Sequence, residues 1–343
     1  MVSVFFRLLE RPLTAKQRSA LERRVARLKA TRGGVTHATA VGALLASDLK
    51  DLRLRPGFVV RSTDVEGRGA SDRSLPPREE RPPATRIQSS RGSALRLELI
   101  AIALQQARHK KAGARADNPL PVRPPRGSGD RNYGWIDLIA SEPETYLEGH
   151  NHLTPDDKKV RQVESAVDRL ASAGLVKTVA AGRKTYDGFQ LLDERGGADR
   201  PGAAWRDYTI PPRGERCVEL PATFITQGWV HVLEDSEIAL LLMVACGVGS
   251  LPDEPDGLVA IPSSFRLLRY GIGRDSYSAA HRTLKLLGLL EVIEVGRHED
   301  GKAIGVGTEE GEMHVHRLKI VDAGFDRPAL ATTLDLFKQE LAR

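Results

Sequence analysis

The residues best suited to chemistry are two histidines, His314 and His316, which flank Val315 and so fall on one side of a strand. Such a pair can hold a divalent metal, and Tyr270 or Tyr277 could then attack a phosphodiester. A plainer account fits the neighbouring residues better. The pair precedes Arg317-Leu318-Lys319-Ile320, which reads as a strand, and both tyrosines have places on helices. His150-Asn151-His152 falls in a loop. No phosphate-binding loop, nucleophile elbow or paired-cysteine ligand set occurs, and Gly271 and Gly273 do not follow a strand as a dinucleotide turn would. The expectation is a non-enzyme with no metal and no cofactor. What remains is a set of Lys, Arg, Gln, Ser and Tyr side chains near the starts of two helices. Their chemistry is hydrogen bonding to base edges and phosphates.

The distribution of charge supports that chemistry. The 343 residues carry 51 Lys and Arg against 45 Asp and Glu, a net charge of +6. Residues 1–131 hold 27 basic against 12 acidic side chains, a surplus of 15; residues 132–343 hold 24 against 33, a deficit of 9. A basic half points to a polyanion partner. Two cysteines, Cys217 and Cys246, provide no disulfide framework, and no run approaches the ~18 apolar residues of a membrane helix. A soluble, cytoplasmic, nucleoid-associated protein with no membrane partner is expected.

The elements that must position those side chains can be read from caps and periodicity. Thr14 caps a helix from Ala15 to Ala30, and Thr36–Leu49 reads as a second; together they make a basic helical module over 1–57. Residues 58–92, rich in Arg and Pro, read as a flexible linker, and 194–216 as another. A closing helix, Pro328–Leu341, lies in the last segment, 323–343.

Between the linkers lies an internal repeat. Glu164–Lys184 aligns with Ser278–His298 at an offset of 114, which matches Ala166 with Ala280, Leu170 with Leu284, Gly174 with Gly288 and Leu175 with Leu289. Each copy is an amphipathic helix ended by a glycine, then two apolar residues that begin a strand, then a Gly–basic turn. Upstream of the second copy, Glu237–Cys246 forms a helix stopped by Gly247, and Ile261-Pro262-Ser263-Ser264 opens another. Upstream of the first, Ala94–Ala107 and Tyr133–Ala140 supply helices, and Thr154-Pro155-Asp156-Asp157 is a strong helix start.

The stretch IPSSFRLLRYGIGRDSYSAAHRTLKLLGLLEV resembles the winged helix-turn-helix of gluconate-repressor-like (GntR-like) regulators and is similar to MarR-like ones. The carrying features are Pro262-Ser263, the Gly271–Arg274 turn and the Leu284…Gly288-Leu289-Leu290 ending. The resemblance implies a mainly α fold with small β-hairpin wings, an α+β class. Two tandem winged-helix domains, 93–193 and 217–322, would follow the basic module. Leu286 and Leu287 depart from the pattern by being apolar, which calls for a packed neighbour.

In that arrangement the third helix of each domain enters a major groove and the wing holds phosphates. The first domain would offer Lys158, Lys159, Arg161, Gln162, Ser165 and Arg169 from its helix and Arg183 and Lys184 from its wing. The second would offer Arg274, Ser276, Tyr277, Ser278 and Arg282, with Arg297 and Lys302 in the wing. The expected function is site-specific binding of double-stranded DNA by a bacterial transcriptional regulator. Tandem winged helices without an effector domain are also similar to plasmid replication initiators, which bind repeated origin sites and recruit replication machinery. A winged-helix protein–protein adaptor is the third reading, and a homodimer is compatible with each.

Overall fold

The computed structural model describes residues 13–30, 33–45, 49–63, 74–89, 93–108, 113, 120–124, 133–140, 154–178, 185–196, 205–252, 254, 257–293 and 315–343. Thr14 caps the first helix: its hydroxyl accepts from the Gln17 amide, and the Gln17 side chain accepts from the Thr14 amide. α1 (Ala15–Ala30) then buries Arg24, Val25 and Leu28. α2 (Gly33–Leu45) starts earlier than Thr36 and ends before Leu49. β1 (Asp51–Leu54) and a short α3 (Pro83–Arg86) precede α4 (Ser93–Arg108), α5 (Trp135–Ile139), α6 (Pro155–Ser172), β2 (Val176–Lys177) and β3 (Gln190–Leu191). β4 (Val218–Pro221), α7 (Thr223–Thr226) and α8 (Trp229–Val232) lead to α9 (Asp235–Cys246), α10 (Ser263–Arg269) and α11 (Arg274–Leu286). β5 (Leu290–Ile293), β6 (Arg317–Ile320) and α12 (Ala329–Leu341) close the chain. The described residues are mainly helical, with small antiparallel sheets pairing β1 with β4, β2 with β3 and β5 with β6.

The glycine corner of the internal repeat is built alike in both copies. The Leu175 amide donates to the Leu170 carbonyl at 2.9 Å, and Leu289, 114 residues on, donates to Leu284 at 3.0 Å. Between them Gly174 and Gly288 take φ of 69° and 67°, the left-handed conformation that a side chain resists. Leu170, Leu284, Leu175 and Leu289 are all fully buried. Burial of each leucine is worth about 1.5–3 kcal/mol, so this glycine-capped corner anchors both copies.

The segments expected to be flexible are tied to the fold at several described points. Within 74–89, Pro83, Ala84, Thr85 and Ile87 are buried. The Thr85 hydroxyl donates to the Tyr270 carbonyl at 2.9 Å, and Arg169 donates to the carbonyl of Gln88. Their composition lacks periodic apolar residues, but long-range hydrogen bonds and a few buried side chains supply the order. Residues 205–216 likewise join the fold: Tyr208 is fully buried, its amide donates to Leu191, and Leu192 bridges Asp207. The basic module is not separate either. α1 packs on α12, α2 on α5 and α7, and β1 pairs with β4 in the register Leu52↔Leu220.

Five arginines of the first half are met by carboxylates of the second. Arg24 pairs with Glu237, Arg27 with Glu234, Arg53 with Glu219, Arg55 with both Glu194 and Glu215, and Arg123 with Asp157. Each runs from the basic half to the acidic half. The asymmetry is therefore partly a docking code between two parts of one chain, and only the exposed remainder is open to a polyanion.

One buried acid sets a pH limit. Glu98, in α4, is fully buried, and neither carboxyl oxygen has a hydrogen-bond partner among the described residues. Burial, and then the neighbouring Glu194, pushes its pKa well above the usual 4.5. The folded protein thus keeps a proton that the unfolded chain releases near pH 4.5. Its contribution to stability is intact below that pH and is lost as pH rises toward the folded value. Glu98→Gln is expected to match the parent near about pH 4. Above that, the parent should fall behind by about 1.4 kcal/mol per pH unit until the folded pKa is passed. Urea melts of both proteins over that range check it.

Candidate nucleic-acid interface

The start of α6 is built as its sequence demands. Thr154 accepts from the Asp157 amide, the Asp157 carboxylate accepts from the Thr154 amide and hydroxyl, and Pro155 fills the first turn. Those bonds from Thr154, together with one from Arg123, draw the Asp157 pKa down to about 2. Val163, Ala166, Val167 and Leu170 are buried. Arg161, Ser165, Asp168 and Ser172, spaced at one helical stripe, are exposed.

α11 begins at a tight corner. Gly271 has φ of 68°, and a Cβ there would lie 2.7 Å from the Thr85 hydroxyl, so glycine is needed for both backbone and space. Tyr277, Ala280, His281 and Leu284 turn inward, while Arg274, Asp275, Ser276, Ala279 and Arg282 are exposed. Preceding elements complete the unit: α9, whose Glu234 and Glu237 form a capping box, and α10, which opens after Pro262. Val259 bridges Leu318 on β6, adding a third strand position on the edge of β6 opposite β5.

The expected contact residues separate into four groups. Arg161, Ser165, Arg274, Ser276 and Arg282 are exposed; Lys158, Lys159, Gln162 and Ser278 are half-buried on the same helices. Tyr277 is corrected. Tyr277 is 7% exposed, its ring stacked on His316 and covered by the Arg266 guanidinium at 4.0 Å, so it cannot reach a groove. The repeat explains why: at the offset of 114, Tyr277 matches the core residue Val163. Arg169 is also half-buried and donates to the Gln88 carbonyl of the 74–89 segment. Arg183, Lys184, Arg297, Lys302 and His314 lie outside the described residues.

The two outer faces differ in charge. α6 carries Lys158, Lys159, Arg161 and Arg169 against Asp156, Asp157, Glu164 and Asp168, a balance of zero. α11 carries Arg274, Arg282 and Lys285 against Asp275, a surplus of two. Two exposed cations next to these helices, Lys177 on β2 and Lys319 on β6, were not among the expected contacts. Their signal was the strand alternation that turns each away from a buried neighbour, Val176 or Leu318.

His281 and His316 stand 5.5 Å apart, ring to ring, beside Tyr277. The His281 Nδ1 lies 2.9 Å from the Tyr277 carbonyl. No group of three metal-binding side chains occurs among the described residues, and no helix among them is long and apolar enough to cross a membrane. No protein-family model matches the chain, and no curated protein or solved structure is matched by it.

Proposed function

We propose that the chain binds double-stranded DNA at a defined sequence through the outer faces of α6 and α11, without catalysis, as a transcriptional regulator. In this reading each unit is a winged helix: three helices, a glycine-capped corner and a strand pair whose connection forms the wing. The observation that carries the reading is the exposed, net positive face of α11, with Arg274, Ser276 and Arg282 on the helix that follows the Gly271–Gly273 turn. Arginine there can bond guanine bidentately or hold phosphate.

Duplication within one chain favours a second reading. Two such units with matching glycine-capped corners suit repeated or composite sites, as at a replication origin. Selection of bound fragments from genomic DNA tests both readings, with Arg274→Glu/Arg282→Glu as the control. The parent should enrich a defined sequence and the variant should lose it. A promoter would mark the regulator and an array of repeats the initiator. Equal recovery of all fragments, or unchanged enrichment by the variant, would contradict the proposal.

A further inference from the structure

Trp205 stands apart from the other two tryptophans. Trp135 and Trp229 are buried at 1% and 0%, whereas Trp205 is 60% exposed. Exposure alone means little for a single apolar residue. Its seating is more telling. The benzenoid half of the indole lies on Gly174, the left-handed corner residue that ends α6, and a Cβ at that position would overlap the ring. The side chain is thus anchored on one side by backbone and open to solvent on the other. A leucine corner could have been covered by any apolar residue; here a flat ring is held with its free area outward.

The surroundings are cationic. Arg206 follows Trp205 and is exposed. Its carbonyl accepts from the Asp193 amide, which brings Arg195 to the same end of the sheet. Arg195 pairs with Asp193 yet keeps 44% of its side chain exposed. Arg86 donates to the Ala173 carbonyl, next to the glycine under the indole, and runs past Gly196. An anchored indole with arginines on neighbouring segments matches a planar base on a phosphate backbone. An apolar protein segment would cover the ring but leave the exposed Arg206 facing a desolvated surface.

We propose that Trp205 is a stacking platform for one unpaired base of a single-stranded nucleic acid, with Arg206, Arg195 and Arg86 holding the adjoining phosphates. The site is distinct from the outer faces of α6 and α11, and it stands whether or not those faces read a duplex.

Tryptophan fluorescence tests this in the full chain, because Trp205 is the exposed emitter and the other two are buried. Titration with a thymidine oligonucleotide should quench the parent emission, and a uridine oligonucleotide should act alike if the sugar is not read. Trp205→Ala should abolish the quenching and weaken binding of a labelled oligonucleotide by about fivefold or more. Trp205→Tyr should restore most of that affinity, which a merely structural role for the indole would not require. Binding that leaves the emission unchanged, equal affinity in Trp205→Ala, or quenching by duplex or an apolar peptide alone would overturn the proposal.

Discussion

Replacing Arg24 by Ala is expected to cost about 3–5 kcal/mol of folding free energy, because it strands a buried carboxylate. Arg24 meets Glu237 through two bonds of 2.5 and 2.7 Å, donates a third to the Val232 carbonyl, and lies 5.0 Å from the Phe337 ring. The side chains are only 9% and 3% exposed. Glu237 is also the third residue of α9 and accepts from the Glu234 amide at 2.9 Å. One ion pair therefore joins α1 to the helix that backs α11. Arg24→Met with Glu237→Leu, which removes both charges and keeps the volume, should recover most of the loss. Urea unfolding of the three proteins measures it. An Arg24→Ala midpoint equal to that of the parent would show that the pair does not hold the module in place.

Reversing charge on α11 is expected to have the larger of two effects on duplex binding. Arg274→Glu/Arg282→Glu should weaken it by about 100-fold or more, since each good contact is worth about 1–3 kcal/mol and two are inverted. The slope of log affinity against log salt should flatten by about two. Lys158→Glu/Arg161→Glu should cost only about tenfold, because the four acidic side chains of α6 already oppose its four basic ones. Fluorescence anisotropy over a salt series would separate the pairs. Equal losses would mean that the two units contribute alike, and a greater loss from α6 would reverse the assignment.

Helix positions were legible in the sequence where their signals are local. Thr14 and Thr154 start helices by side-chain capping, and Gly174, Gly247 and Gly288 end them, so α1, α6, α9 and α11 fall within a residue or two of expectation. What failed depends on distant partners. Thr85 reaches a carbonyl 185 residues away, and Arg24 reaches a carboxylate 213 residues away. No window of sequence contains both members of either pair. An Arg- and Pro-rich composition therefore read as disorder at 74–89, where buried Ile87 and Ala84 in fact join the core. The pairing of five first-half arginines with second-half carboxylates was hidden for the same reason.

The candidate site was half legible. An exposed stripe on an amphipathic helix follows from its period, so Arg161, Ser165, Arg274, Ser276 and Arg282 are where they were expected. Tyr277 failed because helical phase, not residue type, decides which way a ring points. Trp205 carried no periodic signal at all; only the fold brings it onto Gly174.

Site-directed cleavage tests the duplex reading most directly. An iron chelate would be tethered to Ser165→Cys on α6 or Ser276→Cys on α11, both exposed, with Cys217 first changed to Ser and Cys246 left in the core. On a selected duplex, each tether should cut within a few base pairs of one place in a major groove. Bound duplex left intact by both tethers would show that other surfaces hold the DNA.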